Sequence, residues 1–175
     1  MAANRRKFLG TAVAATGAAV LTSRLRAEEQ KKVSLGLIGA GWYGNVDANA
    51  ALKAAGAEIA AVSDVDSAHH TKSADALEKA QGKRPQTFKL YQELLDMKGL
   101  DAVIIGTPPQ WHALQFIAAL EKNLDVYCEK PLAYDVREGR AMVEAAKKAG
   151  RIVQVGFQRR QSKAFQAVKE FIDAG

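Results

Sequence analysis

A chain of 175 residues, 48% hydrophobic and 25% charged, has the makeup of one soluble globular domain and excludes a fibrous or low-complexity chain. Its formal charge of +6 is no sign of nucleic-acid binding, because residues 1–27 hold five basic residues and no acid, leaving 20 basic against 19 acidic residues elsewhere. The single cysteine, Cys128, excludes an intrachain disulfide, and inside an apolar run it reads as a small buried residue rather than a reactive thiol.

The chain begins with Asn4-Arg5-Arg6-Lys7-Phe8-Leu9-Gly10, followed by a mildly apolar segment, Thr11–Leu21, that is too short to cross a bilayer comfortably. A charged start, a modest apolar middle and a polar end is the layout of an export signal. Arg5-Arg6-x-Phe8-Leu9 resembles the twin-arginine signal of bacteria, with Gly10 where lysine is usual. Residues 1–27 are therefore expected to be an export signal read by the twin-arginine machinery, and the protein to be periplasmic. Leu25 fits poorly at the third position before a cut after Ala27, so an uncut leader acting as a membrane tether is the variant of this expectation. An N-terminal amphipathic anchor is the alternative.

The stretch that organises the rest follows. Val33–Ile38 is an apolar run that enters Gly39-Ala40-Gly41-Trp42-Tyr43-Gly44, then a helical pattern through Ala48, Ala51, Leu52 and Ala55. Gly56 stops the helix, and a second apolar run, Ile59–Val62, leads to Asp64. Each glycine has a task in a phosphate-binding turn. Gly39 allows a sharp reversal, Gly41 lets a pyrophosphate approach the backbone, and Gly44 lets the helix lie close to the sheet. The phosphates then meet the N–H groups at the positive end of the helix. Asp64, at the tip of the second strand, stands where an acid can hold both ribose hydroxyls. The alternative is a plain strand–helix turn whose glycines serve packing.

The same alternation continues. Ser67–Gln81 is a helix with Ala68, Ala74, Leu77 and Ala80 on its apolar face and Ser67 as N-cap. Thr87–Leu90 is a short strand and Tyr91–Met97 a short helix with Leu94 and Leu95 inward. Ala102–Ile105 is a buried strand, Trp111–Lys122 a helix, and Leu124–Cys128 a strand. Asp135 caps a helix that runs to Ala149 and ends at Gly150. Ile152–Val155 is the sixth strand, and a final helix opens at Ser162 or Lys163. Strands alternating with helices predict an α/β fold, a doubly wound parallel sheet of the Rossmann kind over residues 33–175. The pair His69-His70 reads as solvated surface, since no further His or Cys stands at ligand spacing; no metal site is expected.

Three further motifs follow strands on the edge where such sheets bind ligands: Thr107-Pro108-x-x-x-His112, Glu129-Lys130-Pro131-Leu132 and Gly156-Phe157-Gln158-Arg159-Arg160. With the glycine turn and Asp64, this set resembles the Gfo/Idh/MocA family of oxidoreductases across residues 33–175. The resemblance implies an NAD(P)-dependent enzyme moving hydride between the cofactor and a secondary alcohol of a sugar, cyclitol or polyol. It implies that Lys130 is catalytic, close to the nicotinamide ribose and the substrate, and that Glu129 contacts the cofactor ribose. A cis bond before Pro131 is common in the family. Thr107, Pro108 and His112 correspond to a wall of the cofactor groove, with packing at the helix start as the other reading of His112. Pro109 stands where the family often has Asn, and Gln158 where it has Asn in the last motif. Arg159 corresponds to a cofactor or substrate contact, while Arg160 reads as a solvated residue. Trp42 and Tyr43 are expected to cover the cofactor.

Asp64 would repel a 2′-phosphate and no arginine at 65 or 66 offsets it, so NAD is the expected cofactor, with NADP the alternative. The family pairs this domain with a C-terminal α/β domain that covers the substrate and often mediates dimer contacts. That domain is absent from this sequence, so the chain is expected to be a fragment, inactive as it stands, of a homo-oligomeric enzyme. Two other readings carry forward: an NAD-dependent glycosidase of the same family, and a non-catalytic dinucleotide-binding module.

Overall fold

The six expected strands form one parallel sheet. The computed structural model describes residues 32–54 and 56–175; the expected export signal and Ala55 lie outside them. The strands are β1 (Val33–Ile38), β2 (Ala57–Ser63), β3 (Gln86–Phe88), β4 (Ala102–Ile105), β5 (Asp125–Glu129) and β6 (Val153–Gly156). Their order across the sheet is β3-β2-β1-β4-β5-β6, and every pairing is parallel. The order reverses between β1 and β4. Crossovers run one way from β1 to β3 and the other way from β4 to β6, so right-handed connections place their helices on opposite faces.

Both faces are covered over the centre of the sheet, which is why its strands read as nearly unbroken apolar runs. On one face, Leu37, Ile59, Val62 and Ile104 pack with Ala48 of α1 (Trp42–Lys53) and Leu77 of α2 (Ser67–Gln81). On the other, Ile38, Ile105 and Cys128 pack with α3 (Tyr91–Leu95), α4 (His112–Glu121) and α5 (Val136–Ala149), where Phe116 and Met142 are almost wholly buried. Neighbours in sequence such as Leu37 and Ile38 serve opposite cores because side chains alternate across a strand. Burial of a side chain the size of Phe116 contributes about 2–3 kcal/mol. The Cys128 thiol is fully buried, and burial followed by the nearby Glu129 carboxylate pushes it up to about 12, so it stays a thiol.

The boundaries shift in informative ways. Asp66, not Ser67, caps α2: its side chain accepts a 2.8 Å hydrogen bond from the Ala68 N–H. The buried face of α2 is Ser73, Ala74 and Leu77, while Ala68 and Ala80 are exposed; at its C-terminal end Gln81 ties the helix to β2, accepting from the Ile59 N–H at 2.9 Å and donating to the Ile59 carbonyl at 2.8 Å. A 3-10 turn, Pro109–Trp111, precedes α4. Asp135 caps α5 through the Glu138 N–H at 2.8 Å, and Gly150 ends it with φ of 62°. The last helix, α6 (Lys163–Asp173), buries no residue.

Candidate active site

The glycine turn is built as its spacing requires. Gly39 has φ of 90°, a left-handed conformation that side chains resist. A Cβ at Gly44 would come within 2.0 Å of the Gly39 carbonyl oxygen, so α1 can lie this close to β1 only with glycine there. Gly41 is different. Its backbone is ordinary extended chain (φ −68°, ψ −174°), and a Cβ there would meet nothing within 4 Å. Among the described residues, neither conformation nor packing asks for glycine at 41, so the open space over it is free for a ligand. Gly41 also carries no capping side chain, and the first turn of α1 holds no acid. The leading N–H groups of α1, at Trp42, Tyr43 and Gly44, therefore face that space with the positive end of the helix dipole behind them. These features fit a dinucleotide pyrophosphate.

A hollow of about 570 Å³ opens beside the turn, lined by Gly39, Gly41, Asp64, Thr107, Pro108 and Gln115 among others. Asp64 is held in place: its Oδ2 accepts from the Ala40 N–H at 2.8 Å and its Oδ1 from the Asp66 N–H at 3.0 Å. Each oxygen keeps a lone pair for a further donor. Thr107 is fixed by donating its hydroxyl to Oε1 of the buried Gln115 at 2.6 Å. Gln115 was not legible as a site residue, and neither were His69 and Lys89, which line the rim. His69 Nδ1 lies 4.0 Å from Asp64 Oδ2, and the ring is exposed as expected. His70 is not surface: it is half-buried, and its Nδ1 has no hydrogen-bond partner. Among the described residues, no three His, Cys, Asp or Glu stand together as a metal site.

A second hollow, about 580 Å³, lies past the end of β5 and is lined by Lys130, Pro131, Phe157, Gln158, Arg159 and Arg160. The Lys130–Pro131 bond is cis. Lys130 is exposed, with Nζ 5.6 Å from the centre of the Tyr43 ring. Tyr43 forms a T-shaped pair with Trp42 at 5.5 Å, and Trp42 itself is 82% exposed. Burial, then Glu129 and Asp47, hold the Tyr43 phenol above its usual range, against a side-chain hydrogen bond from Gln158. Arg159 stacks on Phe165 and Arg160 on Phe157, so Arg160 belongs to this hollow as much as Arg159 does.

Glu129 and His112 stand behind the two hollows. Glu129 is 4% exposed and is the last residue of β5 rather than part of the loop. The Tyr127 hydroxyl donates to its Oε1 at 3.2 Å, and the Lys130 N–H to its Oε2 at 3.1 Å. A Cβ at Gly156 would come within 2.1 Å of Oε1, which explains the glycine that opens the Phe157–Arg160 motif. His112 is 1% exposed, with Nε2 2.7 Å from the Thr107 carbonyl and Nδ1 2.8 Å from the Pro131 carbonyl. His112 thus braces the loops after β4 and β5 from its buried place at the start of α4, which fits the packing alternative for this residue.

Residues 33–157 match the family model described as "oxidoreductase family, NAD-binding Rossmann fold", that of the Gfo/Idh/MocA proteins. The chain is 35% identical over 145 residues to inositol 2-dehydrogenase 3 of Saccharopolyspora erythraea, across 82% of this chain and 41% of that protein. The crystal structure of myo-inositol 2-dehydrogenase from Lactobacillus plantarum matches with a TM-score of 0.76 at 28% identity, over 83% of this chain and 42% of that one. The scyllo-inositol dehydrogenase of Lactobacillus casei, solved with NAD(H) and scyllo-inositol, matches at 0.75 and 25% identity over the same shares. The chain thus spans about two fifths of the length of these relatives. With its strand order, its open glycine cradle and this match along most of its length, the chain belongs to the Gfo/Idh/MocA oxidoreductase family and is its NAD-binding Rossmann domain.

Proposed function

We propose that this chain is the cofactor-binding part of a dehydrogenase that moves hydride between NAD and a secondary alcohol of a cyclitol, sugar or related polyol. The observation that carries the reading is the placing of Lys130, whose ammonium lies over Tyr43 on the first turn of α1, so that an exposed cation stands beside the dinucleotide cradle. The inositol dehydrogenases among the relatives support the substrate class.

In this reading Gly41 and the N–H groups that open α1 hold the pyrophosphate, and Asp64 accepts from the ribose hydroxyls. Glu129, with both oxygens already holding donors, fixes the backbone from which Lys130 projects. NAD, when bound, supplies the acceptor for the hydride. The alcohol loses two hydrogens, one as hydride and one as a proton. The Lys130 ammonium holds the substrate oxygen and stabilises its developing negative charge as the proton passes to solvent water. Lys130→Ala in the full-length enzyme is expected to lower kcat about 100-fold or more while changing NAD affinity little. Unchanged turnover would remove Lys130 from the reaction.

Residues 1–27 we read as a twin-arginine export signal, on Arg5-Arg6-x-Phe8-Leu9 and the apolar segment behind it. An enzyme that leaves the cytoplasm by this route has to carry its NAD with it. The double substitution Arg5→Lys with Arg6→Lys keeps the charge and removes the arginine pair. It is expected to block export of a fused reporter, and unchanged export would refute the signal.

A further inference from the structure

Asp47 lies one turn beyond Tyr43 on the same face of α1 and lines a hollow together with Tyr127 of β5. Its Oδ2 is buried and has no hydrogen-bond partner. On one side it borders a hollow of about 350 Å³ on the sheet face, lined mostly by apolar groups such as Leu35, Ala51, Ile104 and Ile152. The groups that face Asp47 are few. They are Tyr43 on its own helix, Tyr127 and Glu129 on β5, and Lys130 just beyond. Asp125 shares the hollow but is paired with Arg151 at 2.9 Å, and Gln154 of β6 is uncharged. The opposite side of α1 packs on α2 through the Ser73 hydroxyl, which donates to Asn45 Oδ1 at 2.6 Å.

Two carboxyl groups therefore sit near one ammonium, and their surroundings differ. Glu129 has a donor on each oxygen, the pattern of a carboxylate. Asp47 has a buried oxygen with none, and a bare buried charge beside a second carboxylate is strongly disfavoured. We propose that Asp47 is a positioning residue whose neutral form leaves Glu129 as the single negative charge beneath Lys130. Burial, and then Glu129, push the Asp47 carboxyl from 3.8 up to about 7, with Lys130 opposing them. Above that range a second negative charge appears under the lysine and draws its ammonium down from the substrate hollow. The part of this inference that concerns turnover rests on the proposed dehydrogenase reading; the protonation of Asp47 does not.

The folded state holds the Asp47 proton more tightly than the unfolded chain does, so this group favours folding most below about pH 4 and loses that contribution as pH rises through about 7. Asp47→Asn keeps the shape and imitates the protonated form. Two measurements test the proposal. In this chain, carboxyl 13C NMR should give Asp47 a titration midpoint near 7; a midpoint near 4 overturns the proposal whatever the enzyme does. In the full-length enzyme, with scyllo-inositol and NAD as probes, the ratio of kcat for Asp47→Asn to wild type should rise about 3- to 10-fold between pH 6 and 8.5. A ratio that stays flat overturns the positioning role, since a merely structural residue would shift both limbs equally. A midpoint near 7 in a protein that turns over no polyol would sink the dehydrogenase reading and leave the Asp47 proton standing.

Discussion

The two hollows on the ligand edge are built differently. The one beside the glycine turn is walled by groups that the fold already holds: Asp64 tied to Ala40, Thr107 tied to the buried Gln115, and a cradle fixed by Gly39 and Gly44. The one past β5 is lined by exposed side chains, of which Lys130, Arg159 and Arg160 lie against aromatic faces rather than in hydrogen-bonded pairs. Preorganised groups bind at little entropic cost, whereas long exposed cations must be ordered each time. Affinity for the dinucleotide should therefore come from the first hollow and chemistry from the second, with His112 bracing the loops between them.

The comparison can be broken at several points. Gly44→Ala should do the most damage, because its Cβ would drive α1 from β1. Binding of NAD should vanish and stability should fall by more than about 3 kcal/mol, as read from calorimetric titration and urea unfolding. Gly41→Val sharpens the contrast, since nothing among the described residues opposes the new side chain. We expect NAD affinity to fall on the order of 100-fold, about 2.7 kcal/mol, with the unfolding midpoint unmoved. A stability loss equal to that of Gly44→Ala would mean that Gly41 serves packing after all. Asp64→Ser should have the smallest effect, lowering the preference for NAD over NADP about 10-fold, roughly 1.4 kcal/mol. An unchanged preference would remove Asp64 from the ribose.

What the sequence made legible was what depends on near neighbours. The glycine spacing, the strand–helix alternation, Asp135 and Gly150 at the ends of α5, and the buried Cys128 are all set by local rules. His112 was harder. Its motif marked it as part of the site, but its role as a brace depends on the Pro131 carbonyl, 19 residues away. Asp47 was not legible at all. On α1 it looks like any surface acid, and only the arrival of β5 places Tyr127, Glu129 and Lys130 around it. Gln115 was hidden likewise, as a polar residue on a helix whose value lies in the Thr107 hydroxyl it receives. The apolar face of α2 was overextended to Ala68 and Ala80 because alanine marks a helix without marking depth.

The most direct test of the division between the hollows is a pair of calorimetric titrations of this chain, one with NAD and one with ADP-ribose, which lacks the nicotinamide. If the glycine-turn hollow supplies the affinity, the two ligands bind within about 3-fold of each other, a difference below about 0.7 kcal/mol. If NAD binds more than about 10-fold tighter, or if neither binds, the division of labour between the two hollows is wrong.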